Sequence, residues 1–233
     1  MSHVAVIAAH PDDETMFAGG TLAKFSAEGH ELSMVLVTRG EGGEVGEPPV
    51  GPKERLGELR EAEMRCAAAV YGVRRLVFLG FVDPAIEIGE RPKRIEAPLD
   101  VFVAAVARAL DELRPDVVMT HGTNGEYGHP QHIYTRQAVW EALRILRPWR
   151  PQELLTWCAN AGTNAEDRLT NRDDPASWSL DVTPWFEGKL AAALCHRSQH
   201  AMFMRNSKTP DVASMLRRLE AFRRWDLGIV DLA

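Results

Sequence analysis

Short apolar runs rich in valine and isoleucine alternate along this chain with longer stretches whose apolar residues recur every three or four positions. The first pattern predicts buried strands and the second amphipathic helices; their regular alternation predicts a parallel sheet with helices on both faces. The strand candidates are His3 to Ala9, Glu31 to Thr38, Leu76 to Gly80, Asp116 to Thr120 and Glu153 to Cys158. The helix candidates are Glu14 to Glu28, Lys53 to Tyr71, Pro98 to Leu113, Pro130 to Leu146 and Pro184 to Gln199. Gly29 can end the first helix, Pro98 can open the third, and Pro115 separates that helix from the fourth strand. The expected fold is α/β: a Rossmann-like, three-layer α/β/α arrangement around a mostly parallel sheet.

Two stretches, Gly40 to Pro52 and Phe81 to Ala97, resist a regular assignment, and both follow strands at one end of the sheet. Ligands of open α/β folds bind at that carboxyl edge, so these loops are expected to shape a pocket. No repeat, low-complexity tract or interdomain linker interrupts the pattern, and 233 residues suit one domain spanning the chain. Near the end, Leu216, Leu219 and Phe222 recur at helical spacing, which predicts a helix whose solvated face carries Arg217, Arg218, Arg223 and Arg224.

Composition narrows the function. The net charge of −6 argues against a nucleic-acid partner. No apolar run approaches a membrane span, and the run after Met1 has no basic segment ahead of it, so the expectation is a cytoplasmic protein without stable membrane insertion. Cys66, Cys158 and Cys195 are scattered, odd in number and in no CxxC pair, which argues against a disulfide framework and against a thiolate zinc cluster. Any metal must then use His and Asp.

Such residues are concentrated at two strand ends. Ala9-His10-Pro11-Asp12-Asp13-Glu14 follows the first apolar run directly, and His129-Pro130-Gln131-His132 opens the fifth helical pattern. His10 and Asp13 are three residues apart, a spacing at which two side chains can meet one cation. With His132 they make two imidazoles and one carboxylate, the open set that catalytic zinc uses. Asp12 remains beside them as a non-ligating carboxylate, where hydrolysis needs a base. The acidic run also suits a helix N-terminus, whose free N–H groups and dipole favour carboxylates, but that leaves His10 without a purpose.

These motifs resemble the LmbE-like, or PIG-L, family of metal-dependent N-deacetylases. The resemblance extends through Gly19-Gly20-Thr21-Leu22-Ala23, Thr38-Arg39-Gly40-Glu41, Arg60 with Glu63, Phe78-Leu79-Gly80 with Asp83, and Arg114-Pro115-Asp116-Val117-Val118. It continues in Gly125-Glu126-Tyr127-Gly128 leading into His129, and in Lys189 with His196-Arg197-Ser198-Gln199. It implies that His10, Asp13 and His132 hold Zn2+, with Fe2+ also compatible, and that Asp12 is the base. Tyr127 and His129 are implied as catalytic groups at the developing oxyanion and leaving amine, and Arg60 and Asp83 as sugar-site residues. His196, Ser198 and Gln199 would brace the site. The implied partner is a small-molecule N-acetyl amino sugar or its conjugate, and exposed loops at the sheet edge permit a homo-oligomer.

Gln131 departs from the commoner HPDH form of the motif. An aspartate bonded to His129 would favour the imidazolium, whereas glutamine can orient that ring without adding charge, so His129 is expected to act more as a neutral hydrogen-bond partner. Two other classes share the ligand set or the fold rhythm: a non-haem iron(II) enzyme and a non-catalytic sugar- or nucleotide-binding protein. The spare Asp12 speaks for hydrolysis against both. A dinucleotide-binding module is disfavoured because Gly19-Gly20 lies inside the first predicted helix and no GxGxxG follows the first strand.

Overall fold

A computed structural model describes residues 1–85, 92–162 and 169–227. The chain runs β1 (His3–Ala8), α1 (Asp13–Ala27), β2 (Glu31–Leu36), α2 (Leu56–Val70), β3 (Arg75–Phe78), α3 (Leu99–Leu113), β4 (Val117–Thr120), α4 (Gly125–Gly128), α5 (Pro130–Ile145) and β5 (Glu153–Trp157). It continues through β6 (Ala159–Asn160), β7 (Asn171–Pro175), β8 (Trp178–Asp181), α6 (Phe186–Cys195), α7 (His200–Ser207), α8 (Val212–Met215) and β9 (Leu219–Asp226). The central sheet has the order β3-β2-β1-β4-β5-β9-β8, with β1 to β5 parallel and β9 antiparallel to both its neighbours. The mostly parallel sheet between helical layers is the architecture expected.

Each central strand divides its side chains between two cores, because successive residues point to opposite faces. Val4, Val6 and Ala8 of β1 pack with Phe17, Leu22, Met64 and Tyr71 under α1 and α2. Ala5 and Ile7 pack with Phe102, Val106, Leu110, Ala138 and Val139 under α3 and α5. Burial on both faces explains why the strands are near-continuous apolar runs. On the first face Gly19 and Gly20 let neighbours approach closely: a Cβ on Gly20 would lie 2.3 Å from the Val182 side chain, and one on Gly19 2.9 Å from Lys189.

From β1 the chain moves outward to β2 and β3, then returns to add β4 and β5 on the other side. The carboxyl ends of β1 and β4 therefore flank the reversal in strand order, where connecting loops diverge and leave a crevice. The first begins the His10 to Asp13 turn and the second leads to His132.

The end of the chain differs from expectation. Leu219 to Asp226 is a strand, and the four arginines do not share a helix face. Leu219 is exposed while Glu220 and Phe222 are buried on one side of β9. Strand burial of Glu220 is satisfied by Lys189 Nζ at 2.7 Å and by donors from Gly20 and Thr21. Arg218 lies over the Phe186 ring, Arg223 over Trp225, and Arg224 pairs with Glu153. The predicted fifth helix is shorter than expected, ending at Cys195 with a 3-10 turn over Arg197–Gln199.

The cysteine expectation is also corrected, since Cys66 of α2 and Cys195 of α6 form a disulfide 129 residues apart in sequence. Packing of α2 against α6 brings them together, which spacing along the chain does not reveal. Cys158 is buried and takes no part in the disulfide. Among the described residues no helix is long and apolar enough to cross a membrane. Part of the loop expected over Phe81 to Ala97 lies outside the described residues; the described part touches the first loop through the Gly42 N–H, which donates to Asp83 Oδ2 at 3.1 Å.

Candidate metal centre and active site

Ligand atoms of three residues converge between β1 and β4. His10 Nδ1 is 3.3 Å from Asp13 Oδ2, His132 Nε2 is 3.3 Å from Asp13 Oδ1, and the two imidazole nitrogens are 3.3 Å apart. Donors on a tetrahedral zinc with bonds of about 2.0–2.1 Å stand about 3.3 Å apart, so these pair distances suit one cation shared by the three residues, with His10 facing one Asp13 oxygen and His132 the other. All three residues are buried.

The outer nitrogens of both histidines are occupied, which leaves the inner ones available. His132 Nδ1 lies 2.6 Å from Glu126 Oε2, the carboxylate–histidine pairing that fixes the tautomer of a metal ligand. His10 Nε2 lies 3.1 Å from Gln131 Oε1. Burial pushes the Asp13 carboxyl upward, but His132, His10 and His121 outweigh it and hold it well below the usual carboxylate range. Burial lowers His10, yet Asp13 and Asp83 raise it further, up to about 9. A cation entering here therefore displaces a proton from His10.

Asp12 is set apart by its backbone. It has φ 109° and makes no side-chain cap to the helix that follows, although its position at the helix start would allow one. Residues held in such left-handed conformations cost about 1–3 kcal/mol and need surrounding support. Here the Asp12 N–H donates to Glu14 Oε2 at 3.2 Å, and Arg60 donates to Pro11 O and to Asp12 Oδ2 at 2.6 and 2.9 Å. Burial pushes the Asp12 carboxyl up to about 6 despite the opposing Arg60 cation. A carboxylate in that range is ionised at neutral pH yet can accept a proton, the property a general base needs.

Arg60 is buried and spent on Pro11, Gly40 and Asp12, so it holds the base loop and does not stand on a solvated helix face. Asp83 is also buried, accepting from Gln131 Nε2 at 2.6 Å and from the Gly42 N–H. The Tyr127 ring is half-exposed, with centroids 5.6 Å from His129 and 5.5 Å from His132. His129 packs 4.3 Å from the His132 ring, and its buried Nδ1 has no hydrogen-bond partner among the described residues. Burial and the neighbouring His132 and His10 hold it down to about 2, hence neutral. The expectation that Gln131 orients His129 is corrected: its amide is engaged by His10 and Asp83. Of the expected braces, Ser198 donates to Glu63 through both N–H and hydroxyl, Gln199 donates to Glu44 O, and His196 faces Glu14 at 3.6 Å.

Sequence reasoning assigned no role to His121, Glu126 and Asn171. His121 Nε2 accepts from the Ala9 N–H at 3.0 Å and its Nδ1 meets Glu126 Oε2 at 3.0 Å, so both nitrogens are used in welding the two loops. His121, Glu126 and His132 are also close enough to hold a cation, but their facing atoms already satisfy one another. Asn171 donates to Glu126 Oε1 and accepts from the Asn124 and Glu126 N–H groups. This support is needed because Glu126 has φ 60° between Gly125 and Gly128, both at positive φ. The available signal was a histidine immediately after β4 with a glutamate five residues on.

Residues 5–143 match a family model described as GlcNAc-PI de-N-acetylase. A 1D-myo-inositol 2-acetamido-2-deoxy-alpha-D-glucopyranoside deacetylase of Mycolicibacterium gilvum is 39% identical, with the match covering 82% of this chain and 78% of that protein. The N,N'-diacetylchitobiose deacetylase of Pyrococcus horikoshii superposes with a TM-score of 0.68 at 21% identity, covering 97% of this chain and 84% of that one. The 4-carboxy-2-hydroxymuconate hydratase GalB of Pseudomonas putida KT2440 superposes with a TM-score of 0.66 at 17% identity, covering 96% of each chain. The last two likenesses concern the fold alone, which evidently serves more than one reaction.

Proposed function

The chain belongs to the PIG-L family of GlcNAc-PI de-N-acetylases, and we propose that it hydrolyses the N-acetyl group of a small GlcNAc-containing molecule or conjugate, releasing acetate and a free amine. The observation that carries this reading is the convergence of His10, Asp13 and His132, paired at 3.3 Å, with the adjacent Asp12 carboxylate turned to Arg60. Bound by His10, Asp13 and His132, zinc supplies Lewis acidity to the amide carbonyl and the attacking water; iron(II) also suits this donor set.

The protein's own groups move the proton. Asp12 accepts it from the attacking water at a carboxylate oxygen and returns it to the departing nitrogen, so that neither hydroxide nor an amide anion is released. Arg60 keeps that carboxylate ionised and aimed. Tyr127, the half-exposed residue at the mouth, donates its phenolic hydrogen to the carbonyl oxygen as charge develops there. His129 stays neutral and supports the leaving nitrogen as a hydrogen-bond partner. Asp83, with lone pairs beyond those its two internal bonds use, accepts from substrate hydroxyls.

The experiment is amine release by zinc-loaded protein across a panel of N-acetylated amino sugars and conjugates, with D12A as control. Release that vanishes in the control supports the reading. The hydratase among the structural neighbours suggests the second panel: unsaturated hydroxy-acids, whose turnover without any amine release would replace deacetylation by water addition.

A further inference from the structure

We propose that Gln131 is the positioning residue that couples the metal site to the substrate site. It is 1% exposed and bridges His10 and Asp83: its Nε2 lies 2.6 Å from Asp83 Oδ1 and its Oε1 3.1 Å from His10 Nε2. The inference rests on the deacetylase reading only for the role of Asp83 toward substrate.

The chemistry of the three groups fixes the direction of every bond. An ionised carboxylate only accepts, so the amide must turn its NH2 group to Asp83 and its carbonyl to His10. A carbonyl also only accepts, so His10 must carry a hydrogen on Nε2. Nδ1, the nitrogen left to give up its proton to a cation, then faces Asp13 Oδ2 and His132 Nε2, each 3.3 Å away. Asp83 is itself held by the Gly42 N–H on its other oxygen, which anchors the relay in the loop after β2. With an apolar residue at position 131, His10 Nε2 would be left facing Asp83 Oδ1 at 3.8 Å, too far for a hydrogen bond. Position 131 thus performs for His10 the task that Glu126 performs for His132, with a neutral amide that can at the same time donate to Asp83.

Two substitutions separate the two ends of the relay. Q131E keeps an acceptor for His10 but sets a second carboxylate against Asp83; Q131L removes both bonds. Zinc affinity of the apo proteins is read by competition with a chromogenic chelator, and KM and kcat are read on the best substrate of the panel. Loss of an outer-sphere partner of a metal-bound histidine costs about 10–100-fold in affinity. Q131L is therefore expected to bind zinc about 10–100-fold more weakly, whereas Q131E holds it within about threefold of wild type. Q131E raises KM more than it lowers kcat, since the disturbance falls on Asp83.

Equal zinc affinities in wild type and Q131L, or equal losses in Q131L and Q131E, overturn the proposal. Should Q131L not fold, D83A decides, because it frees the amide to rotate: a severalfold loss in zinc affinity supports the relay and no change refutes it. The zinc measurements need no substrate, so absence of amine release from the wild type would count against the deacetylase reading while leaving the His10 arm readable.

Discussion

The two halves of the molecule treat buried charge in opposite ways. The loops after β1 and β4 gather His10, Asp12, Asp13, Glu126, His129 and His132 at two neighbouring strand ends, and they bend the backbone at Asp12 and Glu126 to do so. The C-terminal third buries charge that is already balanced: Lys189 meets Glu220, and Glu220 also takes both hydrogens offered by Thr21. The first arrangement concentrates candidate ligands and acid–base groups, whereas the second joins α1, α6 and β9. Function and stability should accordingly be separable by substitution.

The largest effect is expected at the base. D12A should lower kcat by about 10²–10⁴-fold with zinc still bound, as for loss of a positioned general base. A melting temperature within a few degrees of wild type would show that the loss is chemical. Next is the balanced pair: E220A leaves the Lys189 ammonium buried without a counter-charge, with the Arg217 carbonyl at 3.1 Å still accepting from it, and should destabilise the protein by about 3–5 kcal/mol in denaturant titrations. Zinc affinity of the folded fraction should not change. Removing the disulfide, in C66S or by reduction with a dithiol, should cost about 2–4 kcal/mol, because the bridge joins residues 129 apart in sequence. If its loss abolished turnover without lowering stability, the division between the two regions would fail.

The smallest effect is a shift along the pH axis. Burial places the Asp12 carboxyl at about 6 and Arg60 pulls it down, so the base is ionised above that value and protonated below it. Activity should fall as pH drops through about 6, and in R60M this acidic limb should move to higher pH. A limb that moved down would mean that Arg60 does not act on Asp12. The same rule gives the stability sign: a carboxyl raised above its ordinary value favours the folded state below that ordinary range, and this contribution is lost as pH rises through about 6.

The two halves also differ in how far the sequence reveals them. The parallel half has one dominant physical signal, burial on both faces, and its five strands and four long helices were predictable to within three residues. His10, Asp13 and His132 follow because their spacing and their positions at strand ends are local. In the C-terminal third, Leu216, Leu219 and Phe222 fit helical spacing, but the conformation is decided by Lys189, a distant residue that makes burial of Glu220 affordable. Cys66 and Cys195 meet for a similarly non-local reason, the packing of α2 on α6. Within the site, His121 and Glu126 carried no signal as single residues, since their role is to hold other side chains. Gln131 was visible as a departure from the motif, yet its partners His10 and Asp83 arrive from other elements of the fold.

The most direct test of the central claim is the position of the cation. Anomalous scattering from crystals of the zinc-loaded protein should show one strong peak bounded by His10 Nδ1, an Asp13 carboxylate oxygen and His132 Nε2, with Asp12 outside the coordination sphere. A peak between His121, Glu126 and His132, a peak that includes Asp12 as a ligand, or no peak in this crevice would contradict the account.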